Sequence, residues 1–213
     1  MDQELATIPS GAVSMQGMLD LPDDPLGVVL FAHGSGSSRL SPRNNYVASV
    51  LRHARFGTLL LDLLTPHEDS RTENRFDIAL LTGRLQDAAA WLRAGPSTSS
   101  LPLGLFGAST GAAAALQLAA RGGEAIAAVV SRGGRPDLAG RAALAQVQAP
   151  TLLIVGGDDD VVIDLNRKAL AEMHCHKELL IVPGATHLFE EPGKLEQVAA
   201  LATDWFERYL GAA

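Results

Sequence analysis

A chain of 213 residues, 47% of them hydrophobic, is long enough to bury one substantial core, and no Pro/Gly/Ser-rich linker or shift in composition divides it. A single domain over residues 1–213 is therefore expected. The formal net charge of −7 argues against nucleic acid or an acidic membrane surface as the main partner, because binding phosphate requires a basic face.

The single cysteine, Cys175, leaves no intramolecular disulfide and no cysteine-only zinc site, which fits a reducing compartment. The stretch from Met1 to Leu5 is acidic and lacks the basic-then-apolar order of an export signal, and no apolar run approaches membrane-spanning length. The expectation is a cytoplasmic protein, a monomer or homodimer, that engages neither membrane nor nucleic acid.

In chain order, alternation from Leu5 to Leu19, broken at Pro9-Ser10-Gly11, predicts an antiparallel strand pair at a sheet edge. The continuous apolar run Gly27–Ala32 predicts a strand buried on both faces, with His33-Gly34-Ser35-Gly36 at its exit. A helix is expected over Asn45–Arg55, a strand over Thr58–Asp62, a polar connection over Thr65–Glu73 and a helix over Arg75–Arg93. Beyond the apolar run Leu103–Phe106 and an alanine-rich helix from Ala112 come a strand at Ala125–Val130, a loop at Ser131–Gly140 and a short helix at Ala142–Gln146. Strand Thr151–Val155, helix Asp164–Met173, strand Glu178–Val182 and a closing helix over Gly193–Tyr209 complete the pattern. Alternating strands and helices imply a mostly parallel sheet with helices on both faces, a three-layer α/β/α sandwich. Every parallel strand of such a sheet delivers its C-terminal end to one edge, where ligands bind.

Gly107-Ala108-Ser109-Thr110-Gly111 stands between a strand and a helix. Glycines two before and two after the serine allow a sharp turn that projects the hydroxyl from the sheet edge, in the G-x-S-x-G pattern of a nucleophile elbow. The Asp158-Asp159-Asp160 cluster and His187 each follow a later strand, so serine, acid and histidine reach the same edge. A serine hydroxyl becomes a nucleophile when a neutral imidazole takes its proton, and a carboxylate on the other ring nitrogen orients that imidazole. Ser109 is the candidate nucleophile and His187 the candidate base, with one aspartate of the cluster as orienter. Backbone N–H groups of Thr110 and Ser35 are the candidate oxyanion donors.

Together, His33-Gly34-Ser35-Gly36, the elbow, Gly156-x-x-Asp159-x-x-Val162 and Gly184-Ala185-Thr186-His187 resemble the α/β-hydrolase superfamily, in particular its small dienelactone hydrolase-like members. The resemblance runs from about Gly27 to Leu210 and selects Asp159 within the aspartate cluster. It implies a cofactor-independent serine esterase working through an acyl-enzyme on a small-molecule ester. Dienelactone hydrolases proper carry cysteine where this chain has Ser109. Only 50 residues separate Ser109 from Asp159, and a strand and a helix must fit there, so no large cap domain and an open site for short to medium acyl groups are expected. Acyl transfer or perhydrolysis through the same acyl-enzyme, or a binding role with little catalysis, are the alternative readings.

Arg39 and Arg132 are expected to overhang the same edge and are the candidates for recognising a substrate carboxylate; pairing with Asp62, Glu68 or Asp69 is the competing role. His33 is expected to brace the oxyanion loop rather than react. His174-Cys175-His176 is not read as a metal site, since neighbours in an extended segment point apart and no further His or Cys pair lies at ligand spacing.

Overall fold

The computed structural model describes residues 4–211. One eight-stranded sheet carries the fold: β1 (Glu4–Ser10), β2 (Val13–Asp20), β3 (Gly27–Ala32), β4 (Phe56–Leu61), β5 (Leu103–Ala108), β6 (Ile126–Arg132), β7 (Thr151–Gly156) and β8 (Lys177–Val182), in the order β1-β2-β4-β3-β5-β6-β7-β8. β1 and β2 form the expected antiparallel edge pair, β2 joins β4 antiparallel, and every later pairing is parallel. β3, β4, β5 and β7 are buried along their whole length, which is why their sequences run apolar without alternation.

Helices cover both faces. α1 (Pro42–His53) and α7 (Lys194–Leu210) pack on one side, where Val47, Leu51, Trp205 and Phe206 meet Phe31, Phe106 and Val130. α3 (Ile78–Ala94), α4 (Thr110–Arg121), α5 (Arg141–Gln146) and α6 (Asp160–Glu172) stand on the other. The alanines of α4 have a packing reason: Ala112 to Ala115 are fully buried, and small side chains let the helix lie close over the sheet centre. Among the described residues, no helix is long and apolar enough to cross a membrane.

Several elements differ from the sequence expectation, each for a local reason. α1 begins at Pro42 rather than Asn45 because Ser41 caps it, its Oγ accepting from Asn44 N–H, with proline at the first helical position. The polar connection contains a one-turn helix, α2 (Pro66–Asp69), closed by a reciprocal Thr65–Glu68 capping box, and a 3-10 turn over Thr72–Phe76. α3 starts at Ile78, behind the Asp77 cap. α6 starts at Asp160, directly after Asp159. β6 extends two residues past Val130, so Ser131 and Arg132 are buried strand residues and not part of a loop.

Candidate functional site

β5 ends at Ala108 and α4 starts at Thr110, leaving Ser109 alone to make the turn, at φ 50° and ψ −120°. A non-glycine residue there is strained, at a cost of about 1–3 kcal/mol, and persists only because its surroundings hold it. Ser109 N–H donates to Arg132 C=O on β6 at 3.3 Å, and Ser109 C=O accepts from Arg135 N–H at 3.0 Å. The two elbow glycines are required by contact: a Cβ on Gly107 would sit 2.4 Å from Ala112 Cα, and one on Gly111 2.2 Å from Ala32 C=O. The strand, the helix and the β3 exit thus press together around one half-buried serine.

His33 is buried, and Leu63 N–H donates to its Nε2 at 3.0 Å. That leaves the ring proton on Nδ1, which donates to Gly34 C=O at 2.9 Å. Burial pushes the imidazole below its ordinary value and keeps it neutral. Gly34 C=O also accepts from Ser37 N–H at 3.1 Å. In a trans peptide the N–H opposes the carbonyl, so Ser35 N–H is turned away from this bonded side. The backbone of Gly34 lies against the serine, since a Cβ there would fall 2.9 Å from Ser109 Cβ. His33 therefore braces the loop, as its position suggests.

Asp159 and His187 come from the exits of β7 and β8. Gly156 lets the two exits touch: a Cβ there would lie 2.4 Å from Ala185 C=O and 2.6 Å from Thr186 C=O. Asp158 N–H reaches Ala185 C=O at 3.0 Å, and Asp159 Oδ2 lies 2.7 Å from His187 Nδ1. Asp159 alone of the three aspartates meets the imidazole; Asp158 and Asp160 are exposed. The ring of His187 lies over Gly133, whose Cβ position is 3.5 Å from Nδ1 and Cε1. Gly133 follows Arg132, the residue whose carbonyl holds Ser109, so serine and histidine share one support. Among the described residues no hydrogen bond joins Ser109 Oγ to His187, a separation common in unliganded sites of this kind.

Supports that carry no sequence signature complete the arrangement. Asn166 of α6 is fully buried and donates to Gly134 C=O at 3.0 Å, fixing the turn beneath His187. Phe189, buried at φ 57°, anchors the histidine loop, while Glu191 accepts from Thr186 N–H at 3.1 Å. A polar residue on a helix and a phenylalanine in a loop are too common to be singled out without coordinates.

The two arginines part company. Arg39 is committed to Asp62: its guanidinium pairs with Oδ2, and its backbone N–H donates to Oδ1 at 2.7 Å. Arg132 does not overhang the edge; it is buried on the α1 side of the sheet, with Nη2 3.4 Å from Asn44 Oδ1. His174 and His176 are exposed, and His176 stacks on Trp205 at 5.6 Å between ring centroids. Among the described residues, no group of three or more His, Cys, Asp or Glu side chains is placed to hold a metal ion.

Comparison with known proteins gives this geometry its family. Residues 62–211 match the model of the dienelactone hydrolase family. The chain is 54% identical to a dienelactone hydrolase from Anabaena variabilis ATCC 29413 whose crystal structure is known; the match covers 98% of each chain with a TM-score of 0.94. A serine hydrolase without a lid from Xanthomonas campestris shares the fold at 21% identity and a TM-score of 0.81, over 100% of this chain and 97% of that one. A protein of Mycobacterium tuberculosis H37Rv, named as a candidate phosphoribosyl transferase, is 58% identical over 209 residues. That match takes in 98% of this chain but 47% of the relative, so the chain spans about half the length of the curated relatives it matches. With its α/β-hydrolase fold, the chain belongs to the dienelactone hydrolase family.

Proposed function

We propose that the chain is a cofactor-independent serine hydrolase that cleaves short- to medium-chain carboxylic esters through an acyl-enzyme. The observation that carries this reading is the strained Ser109 elbow set beside a His187 whose Nδ1 is held by Asp159. With Nδ1–H donated to the carboxylate, Nε2 is the basic nitrogen and takes the Ser109 proton as Oγ bonds to the ester carbonyl carbon. Negative charge moves to the carbonyl oxygen, where Thr110 N–H, among the unbonded donors of the first turn of α4, and Ser35 N–H stabilise it. Collapse breaks the bond to the leaving oxygen, which receives the proton from Nε2. Water, deprotonated by the same nitrogen, then attacks the acyl group and releases the acid and Ser109.

The elbow supports this reading over transfer of a phosphoribosyl group, the activity implied by the name of relatives about twice as long. Hydrolysis of p-nitrophenyl acetate and butyrate by the unmodified chain and by Ser109→Ala, both checked for folding by circular dichroism, tests it. A loss of several orders of magnitude in kcat is expected, because a triad acts as a unit. Equal rates would overturn it.

A further inference from the structure

Arg132 has no acidic partner within ion-pair distance among the described residues. Arg132 is only 8% exposed, and its Nε and Nη1 have no hydrogen-bond acceptor among the described residues. Among the described residues the guanidinium makes one hydrogen bond, the long contact from Nη2 to Asn44 Oδ1. The charge that bears on it has the same sign: Arg43, on the first turn of α1, carries a buried Nε that is also unpartnered among the described residues. Burial, with Arg43 beside it, pushes the Arg132 guanidinium down to about 10, so it remains a cation at neutral pH. A buried, under-bonded cation is costly, and two of like sign are costlier still; an anion between them removes both penalties.

Three further features favour an anion there. The first turn of α1 contains no acidic residue, so no carboxylate of that turn offsets its positive dipole end. Arg43 Nη1 is 2.7 Å from Glu190 Oε1, and the Glu190 carboxylate is largely exposed and replaceable. Both arginines can meet an oxyanion with paired N–H donors, the geometry suited to carboxylate or phosphate.

We propose that Arg132 and Arg43 bind a small oxyanion, a carboxylate or a phosphate group, between the end of β6 and the first turn of α1, with Glu190 as the displaceable counter-ion. Because Glu190 lies three residues after His187, occupancy frees the histidine loop from its tether to α1. The site stands on the arginines and is independent of the ester reading.

Thermal unfolding of the full chain tests the proposal, with inorganic phosphate or acetate compared against sodium chloride at equal ionic strength. Phosphate is expected to raise Tm saturably. Glu190→Gln should move half-saturation to a several-fold lower concentration, and Arg43→Gln about tenfold higher, the loss expected for a charge-assisted bond. Arg132→Met should abolish the response; should that variant not fold, the Arg43→Gln and Glu190→Gln variants decide. Identical unfolding in phosphate, acetate and chloride for both the unmodified chain and Glu190→Gln would overturn the proposal, as would an unaltered response in Arg43→Gln. Two sources of the anion are then separated by kcat/KM for a p-nitrophenyl monoester of a dicarboxylic acid against a neutral ester of equal length. An acid group on the substrate requires that this ratio fall about tenfold in Arg43→Gln. A free oxyanion requires an unchanged ratio with phosphate binding weakened.

Discussion

His187 Nδ1 lies 2.7 Å from Asp159 Oδ2, a contact between the exits of two neighbouring parallel strands whose residues are 28 apart in sequence. With Nδ1–H donated to the carboxylate, Nε2 is left with its lone pair free. Asp159→Asn keeps the shape but offers the wrong hydrogen-bonding partner, so kcat should fall by about ten-thousandfold with the fold intact. Asp160→Asn, at the exposed start of α6, should leave kcat near that of the unmodified chain. Comparing the two in steady-state kinetics checks the assignment, and a loss shared equally by both variants would refute it.

The elbow glycines make a packing prediction with a built-in contrast. Gly111→Ala places a methyl against the Ala32 carbonyl, which backbone cannot easily yield, and should lower stability by about 1–3 kcal/mol or more. Gly83, in the interior of α3, has nothing within 4 Å of its Cβ position. Gly83→Ala should raise stability by about 0.5–1 kcal/mol through helix propensity. Urea unfolding measures both, and opposite signs are expected.

His33 ties the loop that follows β3 to pH. Its folded value lies below that of the unfolded chain, because burial disfavours the imidazolium. The stability it contributes is present above the unfolded value of 6.5 and is lost as pH falls from there through the folded value, where the unfolded chain takes up the proton first. Below both values the loss is complete and the slope vanishes. His33→Gln should therefore show a shallower decline in stability than the unmodified chain on the acid side of neutrality, measured by urea unfolding across pH. Parallel declines would contradict this.

The connection carrying α2 is fastened by Glu68, which accepts from Thr65 N–H at 2.9 Å and pairs with Arg84 of α3. Arg84 in turn donates to Ser10 of β1 through Nη1, at 2.8 Å to the backbone carbonyl. Glu68→Ala removes the capping box and leaves Arg84 half-satisfied, so a loss of about 1–2 kcal/mol is expected. Limited trypsin digestion should cut faster at Arg71 and Arg75 in this variant; an unchanged rate would show that the connection holds without Glu68.

Much of this arrangement is legible in the sequence for physical reasons. Buried parallel strands read as unbroken apolar runs, and an elbow needs its glycines, so Ser109 and the strand and helix that flank it stand out. The contact of Asp159 with His187 rests on Gly156, whose role appears only when two distant loops are seen to press on it. Arg132 illustrates the opposite outcome. Placed after the apolar run ending at Val130, it reads as a loop residue, yet hydrogen bonding carries β6 through it and the side chain turns inward. The Thr65–Glu68 capping box has the spacing of a helix start, but a single turn between two polar stretches shows no apolar periodicity to reveal it.

Acylation of Ser109 is the central claim, and peptide mapping by mass spectrometry reaches it most directly. The chain would be mixed with p-nitrophenyl butyrate, quenched in acid within the first turnovers and digested. The mechanism predicts a butyryl group on the peptide that carries Ser109, absent from the Ser109→Ala variant. A butyryl group found on Cys175 or a lysine, with turnover preserved in Ser109→Ala, would contradict it.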